Sequence, residues 1–220
     1  MAENKKKYLD SEGTAELITK INETFVTKEE FNYKPIVINS FTNNKNTVEM
    51  GSTITDVTLS WALNKKAKTL TLDSVSVPVT DTSKVLSSQT ITANKTWTLK
   101  VTDEKDAVST KTTSVTFLNG VYWGAKAAPN TYDSAFILAL QKGLQGNKNK
   151  TFTVDAGANE YIYYALPVRY GAVVFNVGGF DGGFIKTATI DFTNASGYTE
   201  KYDIWKSVNS ALGNTTVTAK

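Results

Sequence analysis

The sequence predicts a mainly β protein in three segments: a short N-terminal helix over residues 1–34, a β-domain over 35–128, and a glycine-rich C-terminal β-domain with one helix over 129–220. Three observations carry this prediction. Apolar and polar residues alternate at period two through most of the chain, which places one face of a strand in a core. Helical spacing of apolar residues is confined to two stretches. Composition shifts near Pro35 and again near Pro129. Between them the chain is rich in Thr, Ser, Val and Lys, and after Pro129 lie ten of the 14 glycines and seven of the 10 tyrosines.

The first segment, "YLDSEGTAELITKINETFVTKEEFN", reads as an amphipathic helix. Asp10 or Ser11 can accept hydrogen bonds from the first turn's free N–H groups. Ile18, Ile21 and Phe25 share one stripe, which Leu17 widens. "TKEE", Thr27 to Glu30, fits a capping box and predicts a second short turn carrying Phe31. Pro35 stops any continuation. A helix of this length is marginal alone in water, so its stripe needs a partner. That partner is either the chain's own β-domain or another copy. Isoleucine at both seam positions favours three or more strands over two. Leu17, Ile18, Ile21 and Phe25 are therefore the candidate self-association residues.

In the middle segment, "DVTLSWAL" puts Val57, Leu59, Trp61 and Leu63 on one face, "TWTLKVTD" puts Trp97, Leu99 and Val101 on one face, and "TTSVTF" adds Val115 and Phe117. "PIVINSF", "TLTLDSVSV" and "QTIT" supply further short runs. Asn, Asp, Lys and Ser fill the loops, as in "LNKKAK" and "TDEKDAV". About seven short strands separated by turns predict an immunoglobulin-like sandwich with Trp61 in the inter-sheet core.

The third segment opens with "NTYDSAFILALQKGLQGN", where Phe136, Ile137, Leu140 and Leu144 fall on one helical face and Gly143 and Gly146 end it. Strands resume in "KTFTVDA", "EYIYYALPV", "GAVVFNVGGF", "KTATIDF" and "EKYDIWKS". "EYIYYALP" alternates poorly, which predicts a strand covered on both faces. "GGFDGGF", Gly178 to Phe184, reads as tight turns rather than a phosphate loop, since no Gly-Lys-Ser/Thr accompanies it.

Composition narrows the chemistry. With no cysteine and no histidine, disulfides, thiolate nucleophiles, Cys/His zinc sites and Ser-His-Asp triads are excluded. Arg169 is the lone arginine, which excludes multi-arginine phosphate clamps. A net charge of +3 is too mild to indicate nucleic acid. No apolar run of about 18 residues or more predicts a membrane span, and "MAENKKKYLD" shows no secretory signal. The carboxylates Asp155, Glu160, Asp181, Asp191, Glu200 and Asp203 show no spacing that marks a catalytic pair. The expectation is a non-enzymatic protein without cofactor or metal. Tyr161, Tyr163, Tyr170, Tyr198 and Trp205 are the candidate ligand-binding aromatics, for a surface glycan, against core or interface filling. The lysines at 5–7 and 65–68 read as solvated loops or guarded edges.

Two stretches carry a resemblance. "KYLDSEGTAELITKIN" is similar to a short helix that recurs at the start of phage fibre and appendage proteins. "YIYYALPVRYG", "FNVGGFDGGF" and "TIDFTNASGYTEKYDIWKSVNSALG" together are similar to a C-terminal β-domain recurring in phage and prophage virion proteins. The chain thus resembles structural proteins of tailed bacteriophages, especially those of gut bacteria. The resemblance implies a fibre, decoration or attachment component of the virion, often trimeric. It implies contacts with itself, with other virion proteins through the N-terminus, and with a host-surface glycan. It carries over no catalytic residue.

Overall fold

The computed structural model describes residues 11–24, 30 and 32–220. α1 spans Ser11–Thr24. Glu12 in its first turn opposes the helix dipole, and Glu16 and Lys20, four residues apart, pair at 3.1 Å. Phe25, residues 27–29 of the capping box expected over 27–30, and Phe31 lie outside the described residues.

The first β-unit contains β1 (Ile38–Asn43), β2 (Thr47–Glu49), β3 (Val57–Leu63), β4 (Thr69–Leu72), β5 (Val75–Ser76), β6 (Ser83–Leu86), β7 (Lys95–Thr102) and β8 (Val108–Ala127). β1, β3 and β6 form one sheet, while β8, β7, β4 and β5 are successive neighbours in the other, with β2 joined parallel to β8. β1, β3 and β6 take the places of immunoglobulin strands A, B and E, and β4, β7 and β8 those of C, F and G. The unit is an immunoglobulin-like β-sandwich. Its core holds Leu59 and Trp61 from β3 against Trp97 and Leu99 from β7. These are the strands that carry the inter-sheet disulfide of antibody domains. "QTIT" makes only an isolated bridge, Ile91 to Ile54, and the edge strand is instead β6, where Val57↔Leu86 to Ser60↔Ser83 pair.

The second unit contains α2 (Ser134–Leu138), β9 (Gln141–Gln145), β10 (Lys150–Ala156), β11 (Glu160–Pro167), a 3₁₀ turn (Val168–Tyr170), β12 (Phe175–Val177), β13 (Phe180–Asp181), β14 (Phe184–Thr193), β15 (Thr199–Ser207) and β16 (Gly213–Ala219). β14, β15 and β11 extend the sheet of β8, with β9 on the opposite edge of β8. One face of this sheet packs on the sheet β10-β16-β12-β13. The other face packs on α2, so β11 is covered on both sides.

Two expectations are corrected. The helix expected through Leu144 ends at Leu138, because Gln141–Gln145 pairs with β8 as a strand. Gly143 and Gly146 favour neither continuation of a helix nor its stability. Gly143 also lies under the Trp123 ring, which a Cβ there would meet at 3.2 Å. The domain boundary expected near residue 128 is the second correction. β8 delivers Val115 and Phe117 to the first core and Val121 and Tyr122 to the second, so the change of core falls inside one continuous strand. Proline and glycine punctuation cannot mark a boundary where the backbone keeps its hydrogen bonds.

Candidate functional site

Three features hold the candidate functional residues. The first is α1. Leu17, Ile18 and Ile21 are 45%, 53% and 44% exposed, and no side chain described in α1 is buried. Among the described residues, the Leu17, Ile18 and Ile21 part of the stripe stays exposed beside the β-domain.

The second is the set of aromatics. Tyr163 is completely buried, its ring edge-on to Phe136 at 4.9 Å, so its expected exposure is corrected. Burial pushes its phenol pKa up. The reason is register: β11 is a central strand with both faces covered. Tyr161 lies on the same face at the strand's start, half-buried, with the Lys206 ammonium 4.3 Å from its ring centre. Trp205 and Tyr170 pack at the margin of the opposite core. Tyr198 lies at the β14–β15 turn, where Gly51 approaches it so closely that a Cβ would fall 2.5 Å from the Tyr198 Cβ. The five aromatics therefore occupy different faces and build no single platform.

The third is the junction between the units, which the sequence flagged only through the solitary arginine. Arg169, placed by the 3₁₀ turn after Pro167, donates through Nε to Glu200 at 2.8 Å and through Nη2 to the Asn119 side-chain oxygen. Asn119 Nδ2 donates to Glu200 at 2.6 Å, and the Tyr202 hydroxyl donates to the Gly120 carbonyl at 2.8 Å. Burial raises the pKa of Tyr202. Tyr170, beneath the guanidinium, donates its hydroxyl to the Gln145 carbonyl at 2.6 Å. Beside this network opens a cleft of about 460 Å³, with Met50, Phe117 and Leu118 as its apolar lining and Asn94, Arg169 and Tyr170 as its polar part. Glu49 completes the junction, accepting from the Tyr122 hydroxyl at 3.3 Å and from Lys142 at 2.9 Å. Asn194 ties the units directly, donating to the Met50 carbonyl at 2.8 Å.

The arrangement offers donors and acceptors of balanced charge beside an apolar lining. It joins the two units through side-chain hydrogen bonds and ion pairs. The carboxylates follow the same pattern: Asp181, Asp191, Glu200 and Asp203 each face Lys220, Lys201, Arg169 and Lys186 respectively. Among the described residues no group of three or more Asp or Glu gathers to hold a cation.

The sequence reading missed a buried carboxylate. Asp103, in the loop "TDEKDAV", receives the Tyr33 hydroxyl at 2.6 Å, Lys65 at 2.7 Å and backbone N–H groups of Ile36, Lys105 and Ala107. It ties the segment leading into β1 to the β7–β8 turn. Lys65 is thus a structural partner and not a solvated loop residue.

No protein-family model matches the chain, and no curated protein matches it. Among solved structures it is similar to the N-terminal eight Ig domains of Down Syndrome Cell Adhesion Molecule isoform 1.30.30, at 7% identity over 83% of this chain and 26% of that one, with a TM-score of 0.26. It is also similar to Sidekick-1 immunoglobulin domains 1–4, at 11% identity over 84% of this chain and 48% of that one, with a TM-score of 0.31. A titin fragment, A168169, aligns at 10% identity over 85% of this chain and 92% of that one, with a TM-score of 0.27. The chain spans about a quarter of the first and about half of the second. At these TM-scores the likenesses carry no weight for function, and the immunoglobulin-like description rests on strand order.

Proposed function

We propose that the chain is a non-enzymatic structural subunit of a tailed-phage virion, a head or tail fibre component that forms a homotrimer and serves display or host attachment. The observation that supports this reading is the exposed Leu17/Ile18/Ile21 stripe of α1. A helix of 14 residues gains too little from its own hydrogen bonds to persist in water with that stripe exposed. Association of copies covers it, and the N-terminus then aligns bodies side by side. Other virion proteins would be met through the same end.

Sedimentation of the full chain tests this. A trimer is expected at micromolar concentration, and Ile21→Asp should reduce it to monomer while the body keeps its melting temperature. A charge at the seam is left buried without a partner or forces the helices apart. A wild-type monomer under these conditions would sink the proposal. If such a monomer bound immobilised glycans, the second reading would gain: an adhesin module using the junction cleft, where Tyr170 and Arg169 are partly open.

A further inference from the structure

We infer that copies of this chain also join head to tail, with Phe180 of one copy seated in an apolar pocket at the open edge of another copy's sandwich. This contact is independent of α1.

The projecting part is the "GGFDGG" hairpin. Gly178 and Gly179 have φ of 58° and 91°, so both central residues of the two-residue turn between β12 and β13 take the positive values that a type I′ turn needs. A Cβ on either would meet nothing within 4 Å, so the glycines serve backbone angle and not close packing. The hairpin is braced. Val177 pairs with Phe180 and Asn176 with Asp181, and the Asn176 amide donates to Asp181 Oδ1 at 2.7 Å. Lys220 reaches the same oxygen at 3.2 Å. Phe180 also extends a row of apolar residues, since it lies opposite Val177, which lies opposite the buried Val217. The row runs past the sheet's edge, and there Phe180 is 81% exposed, the most exposed large apolar side chain among the described residues. A braced aromatic anchor loses little conformational freedom when it binds.

The receiving part lies on the first unit. A pocket of about 240 Å³ is lined by Leu72, Val77, Leu86 and Trp97. It sits where β5 and β6, the edge strands of the two sheets, leave the sandwich open. An aliphatic and aromatic cavity of about 150 Å³ already accommodates a benzene ring, so a phenyl group fits. Val75, part of the lining, is 67% exposed, which gives the ring an apolar rim.

Charge points to a second copy as the occupant. Lys84 and Asp73 both line the pocket; Asp73 is already engaged by Lys95 at 3.6 Å and by the Thr98 N–H at 2.7 Å, whereas the Lys84 ammonium has no ion-pair or hydrogen-bond partner among the described residues. Asp181 follows Phe180 directly. Both its partners use Oδ1, so Oδ2 remains open to Lys84 of the receiving copy. The hydrogen bond from Asn176 and the ammonium of Lys220 hold its carboxyl below the usual value, so it is ionised at neutral pH. Knob and pocket are different surfaces of one chain. Such a contact is heterologous, and it propagates unless its rotation closes a ring. A contact this small is weak and belongs to crowded assemblies.

Full-length Ile21→Asp chain isolates this contact from the helix. In sedimentation velocity from micromolar to millimolar concentration it should grow beyond a dimer. Adding Phe180→Ala should raise the dissociation constant at least about thirty-fold, as loss of a buried aromatic anchor does. Ser76→Trp, which fills the pocket from its exposed rim, should do the same. An equal mixture of the two variants retains one knob and one free pocket. It should form a one-to-one pair and nothing larger. Circular dichroism checks that both variants fold. The proposal is overturned if the Ile21→Asp chain stays monomeric throughout, if Phe180→Ala associates unchanged, or if the mixture forms no pair. Loss with Ser76→Trp but not with Phe180→Ala would assign the pocket to another occupant, such as the α1 stripe. Failure of α1 to form trimers would leave these outcomes unaffected.

Discussion

The two β-units share a strand but are filled differently. In the sandwich, β7 buries Trp97, Leu99 and Val101 and turns Lys95, Thr96 and Lys100 towards solvent. One face works, and aliphatic side chains with two tryptophans and two phenylalanines fill a single core. In the second unit, β11 buries Ile162, Tyr164 and Leu166 on one side and Tyr163 and Ala165 on the other. Its rings pack on rings: Phe152 stacks on Tyr164 at 5.5 Å, Phe175 on Phe184 at 4.2 Å, and Tyr122 meets Phe192 edge-on at 5.2 Å. The sandwich holds a single such pair among the described residues, Phe41 with Trp61 at 6.4 Å. The tyrosines that suggested a ligand platform are largely the material of a three-layer core. Among the described residues the one aromatic that faces outward is Phe180, at an edge.

The comparison is broken most forcefully in the sandwich. Trp61 is buried, meets Phe41 across the β1–β3 pair, and donates its indole N–H to the Asp81 carbonyl at 2.9 Å. Trp61→Ala should cost about 3–5 kcal/mol. Because β8 feeds both cores, calorimetry should show one transition for both units, shifted as a whole. Two transitions with only one displaced would mean that the shared strand does not couple them.

A smaller effect probes the junction alone. Gly51 has φ of +90°, and Tyr198 of the second unit lies against it. Gly51→Ala adds both a disfavoured backbone conformation and an overlap with the Tyr198 Cβ. About 1–3 kcal/mol of lost stability is expected from chemical denaturation. An unchanged midpoint would show that the units can separate there at no cost, contrary to the Asn194 and Glu49 bonds across the junction.

The same contrast explains what the sequence revealed. Alternation through "DVTLSWAL" and "TWTLKVTD" names the buried residues of β3 and β7, with Leu63 at the end of β3 only half-buried, because one face of each strand meets water. In "EYIYYALP" the loss of alternation did announce a strand covered on both faces. It could not say which ring faced which layer, so Tyr163 was grouped with exposed aromatics. β9 was hidden because "QKGLQ" lacks any strand pattern and owes its conformation to β8. The junction was hidden because Arg169, Asn119 and Glu200 come together only through tertiary structure, and a single arginine was the one available signal. α1 was legible as a helix, since its pattern is local, and Leu17, Ile18 and Ile21 of the stripe named from that pattern are exposed.

The smallest expected effect is a change of slope, not a loss of fold, and it tests the sandwich's one buried carboxylate. Burial works against the charge on Asp103, but Lys65, Tyr33 and the Ala107 and Lys105 N–H groups outweigh it and hold the carboxyl well below the usual range. A carboxyl bound more weakly to its proton when folded stabilises above its unfolded pKa of about 3.9, and that contribution is lost as pH falls towards the folded value. The same hydrogen bond acts with opposite sign on its donor. It is the main cause that pushes Tyr33 up to about 12, so the tyrosine's contribution is present below its ordinary pKa and fades as pH rises towards 12. Asp103→Asn removes the acidic titration and the charge that holds the Tyr33 proton. Melting temperature plotted against pH should therefore fall less steeply below about pH 4 in the variant, and less steeply above about pH 10. Parallel curves for the two chains would show that Asp103 is no better stabilised in the fold than in the unfolded chain. The cluster joining Tyr33, Lys65 and the β7–β8 turn would then be a consequence of the sandwich's packing and not one of its supports.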